Sequence, residues 1–433
     1  MRLFGTSGIR GIVDRDLIAL AFKVGMAVGK TYANVIVGND TRTSKDAMKH
    51  ALISGLLASG ASCSDAGIIP TPTLAFIARE FDAGVMITAS HNPSEYNGIK
   101  LWNPDGSAFD SIQQEQIEGE IVNEAYDMAR WSEIKSSSLY SAAIARHIER
   151  IMTDFPDGLK LKVMVDADCG AASIITPELL TKLGCEVVTL NCYYSGFFPR
   201  AIEPLESNLE ELIKLVKESG ADLGIAHDGD ADRMMAVDDK GRFIPGDKLL
   251  AILARTLEAK DMVTTIDTSM AIDEIGLNVR RTRVGDAAVS EELRNGGDFG
   301  GEPSGSWIFP TISLCPDGIY AAAQIAAIAS QEKLSELVDS VPGYPLLRGS
   351  LPVDNTEIPA LESGLLTMKP LSVNNVDGIK LNFADGWLLV RASGTEPKIR
   401  LTAEAKSEAR VHELYDDGIR IIMDCIKNKE KVG

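Results

Sequence analysis

The sequence predicts an α/β protein built from successive units, the last of a different kind. Three observations lead there. Short apolar runs such as Val85-Met86-Ile87 and Leu223-Gly224-Ile225-Ala226 lack the polar alternation of a half-exposed strand, as strands buried on both faces do. Stretches of helical spacing alternate with these runs, which implies parallel sheets. After about residue 370 the pattern changes, and residues 373–381 read as a hairpin. A chain of 433 residues is too long for one core, and length alone suggests about three domains.

The elements follow in order. Residues 17–31 have helical spacing, and Val35-Ile36-Val37 is a strand ending at Gly38-Asn39-Asp40. Thr43 or Ser44 is placed to cap a helix running to about Ser59. A helix over 72–80 precedes the Val85-Met86-Ile87 strand, and the polar, helix-prone stretch 111–150 holds a boundary near 135. A second unit has strands at 161–166, 186–190 and 223–226, with helices over 176–183 and 209–219. A third opens at Pro245-Gly246-Asp247, with Asp247 as cap of a helix over 248–257. Strands at 263–267 and 279–284 and a helix over 287–295 follow. Beyond a glycine-rich loop, Asp317 caps a helix from about Gly318 to Ser330, and another helix runs to Val338. Residues 341–350 read as a linker; the last unit holds a strand at 387–391 and a helix over 407–427.

Charge and composition narrow the function. A net charge of −19 argues against nucleic acid and anionic membranes, which need a basic footprint. It leaves room for a phosphorylated substrate in a local basic pocket. The N-terminus has no apolar signal core, and no run approaches the ~20 apolar residues of a membrane span. The six cysteines are scattered with no Cys-x-x-Cys pair, which fits a reduced, cytoplasmic location.

The motifs carry the chemistry. Gly84 to Pro93 begins as a buried strand and ends in Thr88-Ala89-Ser90-His91-Asn92-Pro93, where Pro93 stops it. A serine at that point is expected to be held on a rigid edge facing outward, and Ser90 is the candidate carrier of a phosphoryl group. Gly5, Gly8 and Gly11 form a loop whose N–H groups can approach an anion, and Arg10 adds a grip on phosphate. Lys100 is a proton-transfer group or a phosphate partner near Ser90. Asp228, Asp230 and Asp232, at every other position past a strand, can converge on one hard cation. An EF-hand fails, because Arg233 stands where that loop needs glycine and Asp239 where it needs glutamate; magnesium serving a phosphoryl group fits better. Arg233 can grip either a phosphate or an aspartate. In Phe299 to Ile308, Glu302 and Ser304 can hold a pair of sugar hydroxyls, and Trp307 can offer a face to a sugar ring. Ser393, Gly394 and Thr395, ringed by Arg391, Lys398 and Arg400, read as a phosphate cradle that is not a Walker loop.

Taken together, Thr-Ala-Ser90-His-Asn-Pro, Asp228-Gly-Asp230-Ala-Asp232-Arg, Gly-Gly-Glu302-Pro-Ser304-Gly and Arg391-Ala-Ser393-Gly-Thr395-Glu-Pro resemble the α-D-phosphohexomutase family, in family order and over almost the whole chain. The resemblance implies four domains around a central cleft: three related α/β units with mixed sheets, at 1–135, 136–240 and 241–345, and a smaller C-terminal α+β domain at 346–433. It implies phosphoserine at Ser90, which hands its phosphoryl group to a hexose phosphate and recovers another from a hexose bisphosphate intermediate. The phosphate thereby moves between C6 and C1. Magnesium would sit on Asp228, Asp230, Asp232 and the Ser90 phosphate, with Arg10 adding stabilisation. Lys100 comes first as general acid and base, His91 second. Arg233, Glu302 and Ser304 would bind substrate, and Arg391, Ser393, Gly394, Thr395 and Arg400 the non-reacting phosphate. Many relatives carry histidine after the Ser-Gly of the sugar loop; here Ser306 follows, then Trp307. That form resembles archaeal phosphoglucosamine mutases, so glucosamine phosphate is the expected substrate, with glucose and mannose phosphates as alternatives. A catalytically silent sugar-phosphate binder and a metal-dependent sugar phosphatase are the readings from other classes. The expected assembly is a monomer or homodimer.

Overall fold

The computed structural model describes residues 3–5, 8–155, 158–352, 358–392 and 398–430. Four sheets divide the chain, one for each predicted unit. The first contains β1 (Ile9–Ile12), β2 (Asn34–Asn39), β3 (Ser62–Ile68), β4 (Ala83–Ile87), β5 (Tyr96–Trp102) and β6 (Ser137–Leu139), in the order β1-β5-β4-β2-β3-β6. The second contains β7 (Lys162–Asp166), β8 (Glu186–Leu190), β9 (Leu223–His227) and β10 (Met234–Val237), in the order β10-β9-β7-β8. The third contains β11 (Asp261–Thr265), β12 (Asn278–Thr282), β13 (Phe299–Glu302) and β14 (Ser306–Ile308), in the order β12-β11-β13-β14.

These three sheets share one plan. A central strand pairs in parallel with the next strand on one side and with the third on the other; the fourth then returns antiparallel to the third. The sheets are therefore mixed. The repeat has a functional consequence. Ser90 lies between β4 and β5, the aspartate motif between β9 and β10, and Glu302 and Ser304 at the turn between β13 and β14. Three different motifs occupy the same topological place, past the carboxyl end of a buried parallel strand, where open α/β sheets bind ligands. The last sheet is antiparallel throughout: β15 (Leu346–Leu351), β16 (Ser372–Asn374), β17 (Ile379–Phe383), β18 (Gly386–Ala392) and β19 (Ile399–Ala405), in the order β15-β19-β18-β17-β16.

The core follows this division. One apolar cluster runs from Ile36 through the second unit to Val341, a second fills the other face of the first sheet, and a third packs the last sheet on the helix Glu408–Glu430. A small cluster of Ile266, Trp387 and Leu389 joins the third and fourth units. There the Lys380 ammonium donates to Ile266 O at 2.7 Å, and Glu404 accepts from both Met270 N and the Trp387 indole. Among the described residues no helix is long and apolar enough to cross a membrane.

Several elements differ from the sequence reading. β6 lies after the boundary near 135 yet pairs in parallel with β3, so the first sheet reaches into the segment assigned to the second unit. Its residues are exposed Ser-Ser-Leu and give no burial pattern to read. The stretch 341–350 contains most of β15 rather than only a linker. Asp247 is not a cap: Pro245 precedes the helix Gly246–Thr256, and the Asp247 carboxylate accepts from Ser269 N. Nor does Ser44 cap its helix; its hydroxyl instead accepts from Asn97. Asp317 does cap, accepting from Ile319 N and Tyr320 N.

Candidate active site

Ser90 is 1% exposed, so the strand-end serine turns inward rather than outward. It takes φ of +51°, a left-handed value that L residues adopt at a cost and that tertiary contacts must hold. Its Oγ donates to Asp228 Oδ2 at 2.7 Å and lies 3.3 Å from His91 Nδ1. The backbone of the aspartate loop crosses directly beneath. A Cβ on Gly229 would stand 2.7 Å from Ser90 O, so only glycine lets the serine and metal loops meet this closely.

Asp228, Asp230 and Asp232 are buried, and one carboxylate oxygen from each lies within 4.8 Å of the others. Ala231 between them has φ of +60°, which bends the loop so that alternate side chains converge. Thr71 of the first unit fixes Asp230, donating from its hydroxyl to Oδ2 at 2.6 Å and from its N–H to the Asp230 carbonyl at 2.9 Å. The residues fit a hard divalent cation. Asp230 Oδ1 and Asp232 Oδ1 are buried with no hydrogen-bond partner, and such orphaned anionic oxygens are costly unless a cation faces them.

Lys100 projects from β5 into the same cluster. Its ammonium donates to Asp230 Oδ2 at 2.7 Å and to Asp232 Oδ2 at 2.6 Å. Burial disfavours its charge, but the Asp230 and Asp232 carboxylates more than offset that and raise its pKa. An ammonium so held has a proton to give and none to accept. Asp230 is correspondingly held below the usual carboxylate range: burial works against it and Lys100 prevails. Asp228 is raised, first by burial and then by Asp232 and Asp230.

His91 is the opposite case. Burial pushes it down to about 2, and the charges of Arg233, Arg10 and Lys100 push the same way, so the ring is neutral. Three cationic side chains thus stand about one neutral imidazole near Ser90, beside the acidic cluster, and can face a phosphate dianion. Arg10, on β1, donates from Nη1 to Asn92 Oδ1 at 2.8 Å, and its buried Nε has no partner. Arg233 donates from Nη1 to Glu203 at 2.6 Å, and its Nε is likewise buried and unpaired.

The sugar motif is a tight hairpin rather than an open loop. Arg233 and Ser306 form a β-bridge, and Met234 N donates to Gly305 O at 2.9 Å, so the second and third units are stitched at the two motifs. Trp307 does not face a sugar: it is fully buried and its indole donates to Met234 O at 2.8 Å. On a three-residue strand the neighbouring Ser306 gave no sign of which face was inward. Glu302 is buried and accepts from Gly285 N at 2.9 Å. Burial, then Asp286 and Asp267, push its pKa up to about 7. Ser304 Oγ is buried and unpaired.

The fourth unit reaches the site through Asp377, which accepts from Val284 N at 3.0 Å while Arg391 Nη1 lies 3.7 Å from the same carboxylate. Val284 precedes Gly285, the Glu302 partner, so Arg391 is linked to the Glu302 hairpin through Asp377 and the Val284-Gly285 backbone. Arg391 and Arg400 are directly opposed on β18 and β19 and therefore share one face. Ser393, Gly394 and Thr395 lie outside the described residues. Sequence reasoning missed Thr71 and Arg42; the latter donates to the carbonyls of the serine loop. No local spacing marks either, because their partners are distant in sequence.

Glu302 gives a first prediction. Its folded pKa lies above its ordinary 4.5, so the fold favours the protonated form. The stability owed to it is complete below pH 4.5 and fades as pH rises through about 7. Glu302→Gln removes that fade, so the variant should gain up to about 3 kcal/mol on wild type between pH 4.5 and 8. Thermal unfolding across that range checks it; parallel curves would refute the burial account.

The chain is similar to known proteins in all four of its units. The phosphoglucomutase/phosphomannomutase alpha/beta/alpha domains I, II and III match residues 1–128, 140–241 and 245–344, and the C-terminal domain of the same family matches 353–420. A "Probable phosphoglucosamine mutase" from Methanococcoides burtonii is 50% identical over 94% of this chain and 96% of its own length. A "Phosphoglucosamine mutase" from Methanococcus aeolicus is 41% identical over 99% of this chain and all of its own. The crystal structure of a phosphoglucomutase/phosphomannomutase family protein from Burkholderia thailandensis superposes with a TM-score of 0.88 at 27% identity, covering 98% of this chain and 97% of that one. With all four domains matched in order, the chain belongs to the phosphoglucomutase/phosphomannomutase family.

Proposed function

We propose that this mutase acts on glucosamine phosphate, moving a phosphoryl group between C6 and C1 through phosphoserine at Ser90. The observation that carries the reading is the buried Ser90 Oγ, bonded at 2.7 Å to one member of a three-carboxylate cluster. A serine so placed is poised to carry a phosphoryl group beside a cation site. The names of the full-length relatives support the amino sugar.

Phosphoryl transfer from Ser90 to a sugar hydroxyl moves one proton from that hydroxyl to Ser90 Oγ and yields a bisphosphorylated sugar. Return of the other phosphoryl group reverses the exchange, so no water is consumed. Lys100 starts charged, gives a proton to Oγ and takes back the one the sugar hydroxyl loses, so its charge is restored; neutral His91, 3.3 Å from Oγ, is in the state to relay one. Arg10 and Arg233 hold the transferring phosphate with their unpaired Nε donors. Glu302 and Ser304 take the sugar hydroxyls, and Arg391 and Arg400, with Ser393, Gly394 and Thr395, take the other phosphate. Magnesium is the cation assigned to Asp228, Asp230, Asp232 and the Ser90 phosphate; when bound it offsets charge on the transferring group. A free sugar phosphate as substrate suits a cytoplasmic enzyme, monomeric or homodimeric.

A panel of glucosamine, glucose and mannose 6-phosphates tests the substrate. Glucosamine phosphate should lead in kcat/KM by at least about tenfold. Preference for glucose or mannose phosphate would overturn the amino-sugar assignment, and steady release of inorganic phosphate would make the protein a phosphatase.

A further inference from the structure

We propose that Arg42 is a positioning residue for the phosphoryl carrier, clamping the Ser90 loop through every donor it has; the proposal rests on Ser90 as that carrier. Arg42 is fully buried, among the largest such side chains in the molecule. A guanidinium has five N–H donors in a fixed fork, and here all are used. Nη2 donates to Ser90 O at 2.8 Å and Asn92 O at 2.7 Å, Nη1 to Pro93 O at 2.7 Å and Tyr96 O at 2.9 Å, and Nε to Asp40 Oδ2 at 3.1 Å. Four of the five acceptors are thus carbonyls of the segment that presents Ser90.

The clamp also reaches the other side of the serine peptide. Asp40 Oδ2 accepts from the Thr88 hydroxyl at 2.6 Å, and Thr88 Oγ1 accepts from Ser90 N at 2.8 Å. Both the N–H and the C=O of Ser90 therefore end on the Arg42–Asp40 pair, one directly and one through Thr88. This is the restraint its left-handed φ of +51° requires. Above, the Phe198 ring of the second unit covers the guanidinium, 5.3 Å from ring centroid to Cζ. The same segment is pressed onto the first unit at Gly196, where a Cβ would meet Thr41 O at 2.9 Å. Below, Gly229 abuts Ser90 O. Ser90 is thus held between a saturated guanidinium and the metal loop, and the second unit supplies both covers. A carrier that must meet two ends of a sugar bisphosphate in turn needs one fixed position for its oxygen, because a displacement of about 1 Å costs about 100-fold in rate.

The test is Arg42→Lys, which keeps the charge and loses the fork. Single-turnover transfer from the phosphoenzyme to sugar phosphate should fall about 100-fold, with KM within about threefold of wild type and a cooperative melt retained. In Arg42→Ala, added guanidinium chloride at low millimolar concentration should restore transfer at least about tenfold, whereas methylammonium should not. Wild-type transfer in Arg42→Lys, a loss that only tracks the folded fraction, or a rise in KM at unchanged kcat would each overturn the proposal. If neither variant folds, Phe198→Ala keeps all five bonds but wets the guanidinium; its transfer should fall about threefold to tenfold at unchanged KM, and wild-type transfer would overturn the proposal. Failure of the wild type to form phosphoserine would instead remove the carrier reading itself, leaving the two outcomes distinct.

Discussion

Ser90→Ala is expected to lose mutase activity by at least about 10⁴-fold while keeping its fold and its affinity for sugar phosphate. The reason lies in what surrounds the hydroxyl. Oγ is the only atom removed, and it makes one bond, to Asp228 Oδ2 at 2.7 Å, plus a 3.3 Å approach to His91. The peptide of Ser90 is held independently by Thr88 and Arg42, so the alanine keeps the loop in place. Loss of that bond leaves a buried Asp228 oxygen unpaired and should cost about 1–3 kcal/mol of stability. A melting curve close to wild type with abolished turnover is the expected pair of results. Substantial turnover in a folded Ser90→Ala would exclude phosphoserine as an obligatory intermediate.

Lys100→Met should produce the second large effect, and it acts on stability and rate together. The Lys100 ammonium is shared by two buried carboxylates, Asp230 at 2.7 Å and Asp232 at 2.6 Å. Breaking a buried ion pair by removing one partner typically costs about 3–5 kcal/mol, because the remaining charges stay buried and unpaired. Methionine fills similar space without charge, so the loss reads out electrostatics rather than a cavity. Divalent cation should then stabilise Lys100→Met more than wild type, since ammonium and metal neutralise the same Asp230 and Asp232 carboxylates. The catalytic loss should be about 10²–10⁴-fold even at saturating magnesium, the range for removing a general acid. Equal magnesium-induced shifts in melting temperature for the two proteins would show that Lys100 and the metal do not share ligands.

Much of this was legible in the sequence because each motif is contiguous. Ser90, the Asp228-Asp230-Asp232 spacing and the Glu302 segment all carry their meaning within about ten residues, and strand-helix alternation placed each past a strand. One hairpin of the last sheet was visible because Asn375-Val376-Asp377-Gly378 is a turn signal between two short apolar stretches. What stayed hidden depends on pairing order or on distant partners. That three motifs share one topological place follows only from which strands are neighbours. Arg42 sits in an unremarkable Asp40-Thr41-Arg42 turn, and its carbonyl partners lie about 50 residues on. β6 is short and exposed, so no burial pattern announces it. Trp307 looked like a sugar platform because composition cannot tell which side of a three-residue strand faces the core. Lys100 appeared as a candidate general acid and base, and its two carboxylate contacts, which hold it charged, come from far along the chain.

The most direct test follows labelled phosphoryl through one turnover. Protein phosphorylated with labelled hexose bisphosphate is mixed with unlabelled glucosamine 6-phosphate, and both protein and sugar are sampled with time. The account predicts label first on Ser90, then on a bisphosphorylated sugar, with Ser90 refilled by unlabelled phosphoryl and no label in inorganic phosphate. Label on any other residue, or label leaving Ser90 as inorganic phosphate, would contradict it.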